Sequence, residues 1–411
     1  MTVTETVITE ALGRFLTLGY HLYISPVSWC TQTQSFVPST SKVRKFLWGL
    51  CYLEAVCELL ATWATMCTFE QIDMKRRMVG ALFALCFTFT AVAQLIFYRN
   101  FGSMSALIRQ YLLFEPLEES GGMPGLRNSR REGICRKIIL SCMWVQILHP
   151  LAVGTWFLRN STELRYPYGW IALLYHSEWL VLLGWAFHMW GVAFFVFIFC
   201  FSFIGILTYT SICTHWLRLL LKGSGERGQK GFRKMRALIK WFPPKTDFDN
   251  NSRHYRCTLP RRMVEKETLA WRIRLYRQLQ LTNAAFYTSS LGLLAGLFLS
   301  ECLVGHALVI VLLTKLYQHM PIPMTLLSLY YFFAITAFEL VLVREMGAVK
   351  EMSRQLVQRW MGQVSKRSGE WRQIRCLMPF GIKFGSDVQK TTALTYLLLV
   401  SKSAKYLILI G

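Results

Sequence analysis

Apolar residues lie in long blocks that are separated by shorter polar segments. Six blocks have about the 20 residues that a membrane-spanning helix needs, and a weaker seventh block ends the chain. A water-soluble fold would have to bury each such helix on every side. The pattern therefore predicts an all-α, polytopic membrane protein with seven transmembrane helices. The blocks are Phe46–Cys67, Met78–Tyr98, Ile138–Leu158, Trp185–Ile212, Ala284–Thr314, Pro323–Val343 and Thr391–Ile410.

Two stretches are long enough to change the predicted number of spans. Trp170–Gly184 precedes the fourth block, and we expect it to form an amphipathic segment on the extracellular side. Ala284–Thr314 is either one tilted helix or a helix with a re-entrant turn near Gly305. A second span in either stretch would make the number of spans even and would move the C-terminus to the other side.

The basic residues predict the orientation in the membrane. Of the 46 Lys and Arg residues, 38 lie in residues 1–45, 99–137, 213–283 and 344–390. Lys and Arg accumulate on the cytoplasmic side of membrane proteins, so the N-terminus is predicted to be cytoplasmic and the C-terminus extracellular. The sequon that begins at Asn160 then lies outside, and Asn160 is predicted to be glycosylated.

The same division predicts four parts of the chain. Residues 1–45 form a cytoplasmic N-terminal segment, and residues 46–343 hold the first six spans with basic cytoplasmic loops at 99–137 and 213–283. Apolar residues at helical spacing within 344–390 predict cytoplasmic helices that extend the sixth span inward. Residues 391–411 form the seventh helix.

Composition supports this interpretation, because 53% of the residues are hydrophobic and only 17% are charged. The net charge of +23 could indicate nucleic-acid binding. Here the charge lies in loops that flank apolar segments, and an anionic cytoplasmic leaflet is a sufficient counterpart. We therefore predict contact with the lipid bilayer and no nucleic-acid partner.

Catalytic motifs are absent from the sequence. It has no P-loop, no dinucleotide-binding fingerprint and no nucleophile elbow, and no two histidines stand three or four residues apart. We predict no enzymatic activity, no cofactor and no metal site. Glu54 and Glu58 stand four residues apart on one face of the first block. They either face the bundle and pair with a cation, or they lie against polar groups or near an interface. The same two alternatives apply to Glu301 and Glu339, which also lie within predicted spans.

The last block carries a resemblance to a receptor family. Thr395-Tyr396-Leu397-Leu398-Leu399-Val400-Ser401 matches the start of a Thr-Tyr, five apolar residues, Gln-Phe motif, although Lys402-Ser403 replaces its Gln-Phe pair. With the length, the predicted topology and the large loop between spans four and five, the chain resembles the arthropod gustatory and odorant receptor superfamily.

That resemblance implies a ligand-gated cation channel of the plasma membrane that assembles as a homo- or hetero-tetramer. It implies a cytoplasmic anchor within Val349–Met378 and a pore lined by Thr395, Tyr396, Leu399 and Lys402. Four lysines in a pore would repel cations, so Lys402 either turns away, alters selectivity or requires a partner subunit. A small-molecule tastant or odorant is expected to bind among outer-half residues, namely Phe83, Phe87, Trp156, His188, Trp190, Tyr330 and Tyr331.

Two other functions fit seven spans. A G-protein-coupled receptor has an external N-terminus, which the charge distribution opposes, and the sequence lacks its Asp-Arg-Tyr and Asn-Pro-x-x-Tyr motifs. A transporter usually shows paired repeats with spans broken by Gly or Pro, and none is visible.

Overall fold

The structure is a computed structural model in which helices dominate. In the part of the chain that it describes, eleven helices and two short antiparallel hairpins occur. It describes residues 7–30, 35–68, 74–114, 129–159, 161, 166–172, 174–175, 177–222, 268–288, 290–315, 318, 322–381, 383–384, 386–387 and 392–410. The helices are α1 (Val7–His21), α2 (Lys42–Thr68), α3 (Met74–Phe114), α4 (Ser129–Arg159), α5 (Pro167–Ala172), α6 (Glu178–Lys222), α7 (Thr268–Thr288), α8 (Ser290–Lys315), α9 (Ile322–Gln363), α10 (Gly369–Arg375) and α11 (Thr392–Ile410).

The predicted all-α, polytopic fold is confirmed. Within the described ranges, six helices are long and apolar enough to cross a membrane, and they are α2, α3, α4, α6, α8 and α9. Five of them contain one long apolar block each, whereas the block Ala284–Thr314 is divided between the end of α7 and α8. The seventh block forms α11, which packs against α8 and α9.

The two ambiguous stretches each contribute one long helix. The short helix α5 precedes α6, which begins at Glu178 and continues without interruption to Lys222. The helix α8 passes straight through Gly305, so the alternative of a re-entrant turn there is wrong. The boundary lies earlier, where α7 ends at Thr288 and α8 begins at Ser290.

Several helices are much longer than a bilayer requires. The 45 residues of α6 extend about 68 Å at 1.5 Å per residue, and the 42 residues of α9 extend about 63 Å. The hydrocarbon core is only about 30 Å thick, so both helices project from it. The segments 99–137 and 213–283, which the sequence predicted as loops, are partly helical. Helix α3 continues to Phe114, α6 continues to Lys222 and α7 starts at Thr268.

The helix α6 is the most buried of the six membrane-crossing candidates and forms the centre of the bundle. Its phenylalanines at 194, 197 and 201 recur at helical spacing, and Phe197 and Phe201 are stacked at 6.0 Å between ring centroids. Because the helix is apolar on all sides, it can be covered by other helices all round. Outer helices instead leave large apolar side chains uncovered, Trp144 and Phe333 among them, and this surface suits lipid.

The N-terminal segment also packs into the bundle, which its sequence did not predict. Helix α1 contacts α4, and the Phe15 ring stacks on that of Phe197 with 5.6 Å between centroids. A hairpin of β1 (Val27–Cys30) and β2 (Ser35–Pro38) follows. The described part of residues 1–45 is thus a structured element of the fold.

Helices α7, α9 and α10 meet in a compact unit beyond the membrane-crossing part. The Tyr276 hydroxyl lies 2.6 Å from Ser353 Oγ and donates to the Met378 carbonyl at 3.0 Å, while the Phe380 N–H donates to Ser353 Oγ at 2.8 Å. Burial raises the pKa of Tyr276 to about 12, so this hydroxyl remains a donor. The Trp360 ring packs against Tyr276 at 5.8 Å between centroids.

A second short hairpin follows this unit. It pairs β3 (Lys383–Phe384) with β4 (Ser386–Asp387) and lies just before α11. We call the region of Tyr276, Ser353, Trp360, Met378 and Phe380 the anchor. Three of these residues lie within the predicted range Val349–Met378, and the role of that range between subunits stays a prediction.

Candidate functional site

Two adjacent cavities lie inside the bundle, between α3, α4, α6, α8 and α9. Their volumes are about 50 and about 60 Å³. Five side chains line both cavities and form the shared wall, namely Leu82, Cys86, His149, Phe195 and Tyr331. The two spaces are therefore neighbours, and movement of a few side chains would join them.

Helical spacing explains why these residues converge. On α3, Leu82 and Cys86 stand four residues apart, and on α4, His149 and Val153 do the same. Residues at this spacing share one helix face. Faces of four helices meet at the first cavity, and α8 adds Glu301 to the second.

Most of the cavity surface is apolar, and its polar groups are few. The Tyr331 hydroxyl lies 2.7 Å from His149 Nε2, within hydrogen-bond distance. Ser328 adds a hydroxyl to the first cavity and Glu301 a carboxyl to the second. An apolar space with a few convergent polar groups is the usual composition of a small-molecule site.

Four of the seven predicted ligand-binding residues line these cavities. Phe83 and Phe87 lie on the first cavity, Tyr330 lies on the second, and Tyr331 lies on both. The structure thus brings together predicted residues from α3 and α9, which are far apart in sequence.

The other three predicted residues lie elsewhere in the bundle. Trp156 packs with Val79 and Leu312, and Trp190 packs on the main core beside Phe187. His188 is buried next to two carboxylates. These positions contribute to packing and to a polar cluster, and they do not line the cavities.

Sequence reasoning missed several lining residues, including Leu82, Phe195, Ser328 and Glu301. Their helices are apolar on several faces, so periodicity does not distinguish the face on a cavity from the face on another helix. Glu301 carried the one usable signal, since a carboxyl group within a span is costly unless it has a role.

A buried polar cluster joins α2 to α6. His188 Nδ1 lies 2.8 Å from Glu58 Oε1 and 3.9 Å from Glu54 Oε1, and all three side chains are buried. Glu54 and Glu58 therefore face the bundle, where they lie against the polar side chain of His188, and their pairing with a cation stays a prediction. The prediction of no metal site considered pairs within one helix, whereas these three donors come from two helices.

A second buried pair links α8 to α9. His306 Nδ1 lies 2.7 Å from Glu339 Oε2, and the Thr336 hydroxyl lies 3.3 Å from His306 Nε2. The carboxyl group of Glu339 thus has a partner inside the bundle. This pair has one carboxylate where the α2–α6 cluster has two.

The predicted pore residues lie on α11. Val400 and Ala404 are buried on that helix, and Ala404 packs with Ala307 and Val311 of α8. Leu399 and Lys402 are exposed in the single chain. The side chains of Thr395 and Tyr396 lie outside the described residues, as does Asn160.

The fold and the cavities define the protein as a polytopic α-helical membrane protein with an internal, largely apolar cavity between its spans. The insect olfactory receptor OR5 from Machilis hrabei in complex with eugenol has the same fold, with a TM-score of 0.59 at 12% identity. The match covers 99% of this chain and 100% of that chain.

A second structure of that receptor matches with a TM-score of 0.49 and 12% identity, over 98% of this chain and 100% of that chain. No protein-family model matches the sequence, and no curated protein matches it significantly. The match with the eugenol complex shows that this chain has the fold of that insect olfactory receptor, which is the fold that the sequence resemblance implied.

Proposed function

We propose that this protein is a chemosensory receptor of the insect odorant and gustatory receptor type, which binds a small organic molecule inside the bundle. The observation that carries the proposal is an apolar cavity pair in a fold shared with a receptor that was solved with eugenol. The response to the ligand is the opening of an ion channel in the plasma membrane.

The size of the cavities supports a small ligand and a moving wall. An engineered apolar cavity of about 150 Å³ binds benzene, and each cavity here is smaller than that. A ring-sized ligand therefore has to displace part of the shared wall. Phe195 is one such wall residue, and its ring contacts Phe89 and Phe199, so its displacement would reach the centre of α6.

The polar groups favour a ligand with one hydrogen-bonding substituent. The His149–Tyr331 pair can accept a hydrogen bond from a ligand hydroxyl or donate one to it. Each partner can take both roles, depending on the imidazole tautomer and on the rotation of the tyrosine hydroxyl. A monocyclic phenol or a small aromatic alcohol has this chemistry.

The exposed face of α11 supports its proposed position around a central pore. Leu398, Leu399 and Lys402 are exposed while Val400 and Ala404 are covered, so no described part of the chain covers this face of the helix. A lysine at this depth is costly in lipid. We propose that this face contacts water and neighbouring subunits in a tetramer. Thr395 and Tyr396 line the same pore, and the anchor joins the subunits.

The proposed orientation of the protein in the membrane follows from the positions of the basic loops. The N-terminus is cytoplasmic, the C-terminus is extracellular, and Asn160 is a glycosylation site on the outer side. Epitope tags on intact and permeabilised cells test the termini, and loss of a glycan in Asn160→Gln tests the site.

The function is tested by whole-cell voltage clamp of cells that express the full chain, with eugenol and a panel of monocyclic phenols as probes. We expect an inward current that persists when G-protein signalling is blocked. A response that requires G proteins would favour a coupled receptor, and solute uptake against a gradient without current would favour a transporter. Absence of any response from correctly inserted protein would contradict the proposal.

The Tyr331→Phe substitution should weaken the response to eugenol about tenfold, which corresponds to about 1.4 kcal/mol. The loss of one hydrogen bond to a buried polar group is of this size. Methyl eugenol lacks the phenolic proton, so its half-maximal concentration should change less than about twofold. Concentration–response curves for both compounds check the prediction.

Tyr175→Phe is the matched control, because Tyr175 is exposed and lies outside both cavities. It should leave both responses unchanged. If Tyr331→Phe shifts both compounds equally, the hydroxyl only supports the wall and does not contact the ligand.

A further inference from the structure

The buried cluster of α2 and α6 has the donor set of a metal site. The nearest ligand atoms of Glu54, Glu58 and His188 all lie within 4.8 Å of one another. In a tetrahedral zinc site with bonds of about 2.1 Å, donor atoms stand about 3.4 Å apart. The present separations of 2.8 Å and 3.9 Å from His188 Nδ1 lie on either side of that value, and the two carboxylates lie within 4.8 Å of each other.

Two polar atoms of the cluster, Glu54 Oε1 and His188 Nε2, lack a hydrogen-bond partner among the described residues. Glu54 Oε1 is buried, has no such partner among the described residues, and points to the space that His188 Nδ1 also faces. The residues Glu54, Glu58 and His188 are only 2%, 3% and 2% exposed. Leaving a buried carboxylate oxygen unsatisfied is costly, so this atom is a position at which a cation would be stabilised.

Charge balance favours a divalent ion. Two carboxylates and a neutral imidazole carry a charge of −2, and one divalent cation neutralises the cluster without any further group. A histidine ligand selects against Mg²⁺ and Ca²⁺, which prefer oxygen alone, and suits Zn²⁺. A metal ion on His188 Nδ1 would replace the contact between that nitrogen and Glu58, and the neutral imidazole would then carry its proton on Nε2.

The surroundings would hold such a site rigid and dry. The His188 ring stacks on Phe157 at 5.2 Å between centroids and contacts the Tyr166 ring edge-on at 5.1 Å. Gly191, one turn further along α6, makes room for Glu54, since a Cβ atom there would overlap its carboxylate. The glycine thus keeps the unsatisfied oxygen in place.

We propose that Glu54, Glu58 and His188 bind a divalent transition-metal ion, with Zn²⁺ as the best match, inside the membrane-spanning bundle. The site differs from the ligand cavities, whose linings include none of the three residues. Its occupancy does not depend on the proposed receptor activity.

The test measures the metal directly. The full chain, purified in detergent and stripped with a chelator, is equilibrated with Zn²⁺, separated by gel filtration and analysed by plasma mass spectrometry. We expect about one Zn²⁺ per chain, with binding at least about tenfold weaker in Glu54→Gln and in His188→Gln. Gly191→Ala should weaken binding as well, although it removes no ligand.

His306→Gln is the matched control, because His306 is equally buried but pairs with a single carboxylate, Glu339. It should bind Zn²⁺ as the wild type does. The spectrum of the Co²⁺-loaded protein should lack a thiolate charge-transfer band, which distinguishes this site from one built on cysteines. Wild-type protein that elutes as folded but binds no Zn²⁺, or binds it equally well in Glu54→Gln, would overturn the proposal.

Discussion

Replacing Trp360 by alanine is expected to lower the free energy of unfolding by about 3–5 kcal/mol, the usual range for a fully buried tryptophan. Trp360 is 1% exposed and its ring packs against Tyr276 in the anchor. The substitution leaves a large cavity between α7 and α9. Thermal unfolding of the purified full chain in detergent, followed by size-exclusion chromatography, should give a clearly lower midpoint.

The effect should extend beyond the loss of one side chain. Tyr276 hydrogen-bonds to both Ser353 and the Met378 carbonyl, so a shift of its ring disturbs the contacts that hold the chain after α10. Cross-linking should therefore also show loss of the tetramer in Trp360→Ala, because the proposed assembly uses the anchor.

Gln358→Ala is the control for this experiment, since Gln358 is exposed on the same helix two residues earlier. It should change the free energy of unfolding by less than about 0.5 kcal/mol. Equal stability of Trp360→Ala and Gln358→Ala would mean that the anchor adds little to the fold. A destabilised but still tetrameric Trp360→Ala would place the subunit contacts elsewhere.

The spans could be predicted because membrane insertion depends on local sequence. The length of an apolar block decides whether a helix can cross the bilayer, and no long-range contact is required. The extension of α9 beyond its apolar block was also predictable, since Val349, Met352 and Leu356 recur at helical spacing and pack on one core. The structured N-terminal segment was missed because Phe15 is stabilised by Phe197, a residue about 180 positions away.

The cavity could be predicted only in part, for a related reason. Aromatic residues such as Phe83 and Trp156 have equivalent sequence surroundings, yet one lines the cavity and the other packs between helices. The difference depends on how the helices are rotated in the bundle. Spans rich in apolar residues on all sides carry little information about that rotation.

The polar cluster illustrates the same limit for pairs of residues. The spacing of Glu54 and Glu58 placed them on one face, but their partner His188 lies 130 positions further along the chain. Phe87 connects this cluster to the proposed ligand site, because it lines the first cavity and its ring lies 6.4 Å from that of His188. The two proposed sites are thus neighbours across a single side chain of α3.

Ser328→Phe should raise the half-maximal ligand concentration at least about 100-fold, which corresponds to about 2.7 kcal/mol. Ser328 is buried and lines the first cavity, whose volume is only about 50 Å³. A phenyl ring in place of the hydroxyl fills the space that a ligand needs. Concentration–response curves for eugenol, with surface expression measured by a tag on the same cells, check the prediction.

Leu329→Phe is the matched control, because it adds a ring at the next position of α9, where the side chain is exposed and lines neither cavity. The Leu329→Phe variant should respond as the wild type does, because its added ring contacts lipid and not the ligand. Overpacking of Ser328→Phe would appear as reduced surface expression, and that loss can be separated from a change in sensitivity. A normally expressed Ser328→Phe with unchanged sensitivity would place the ligand outside these cavities and leave the small-molecule site to another part of the bundle.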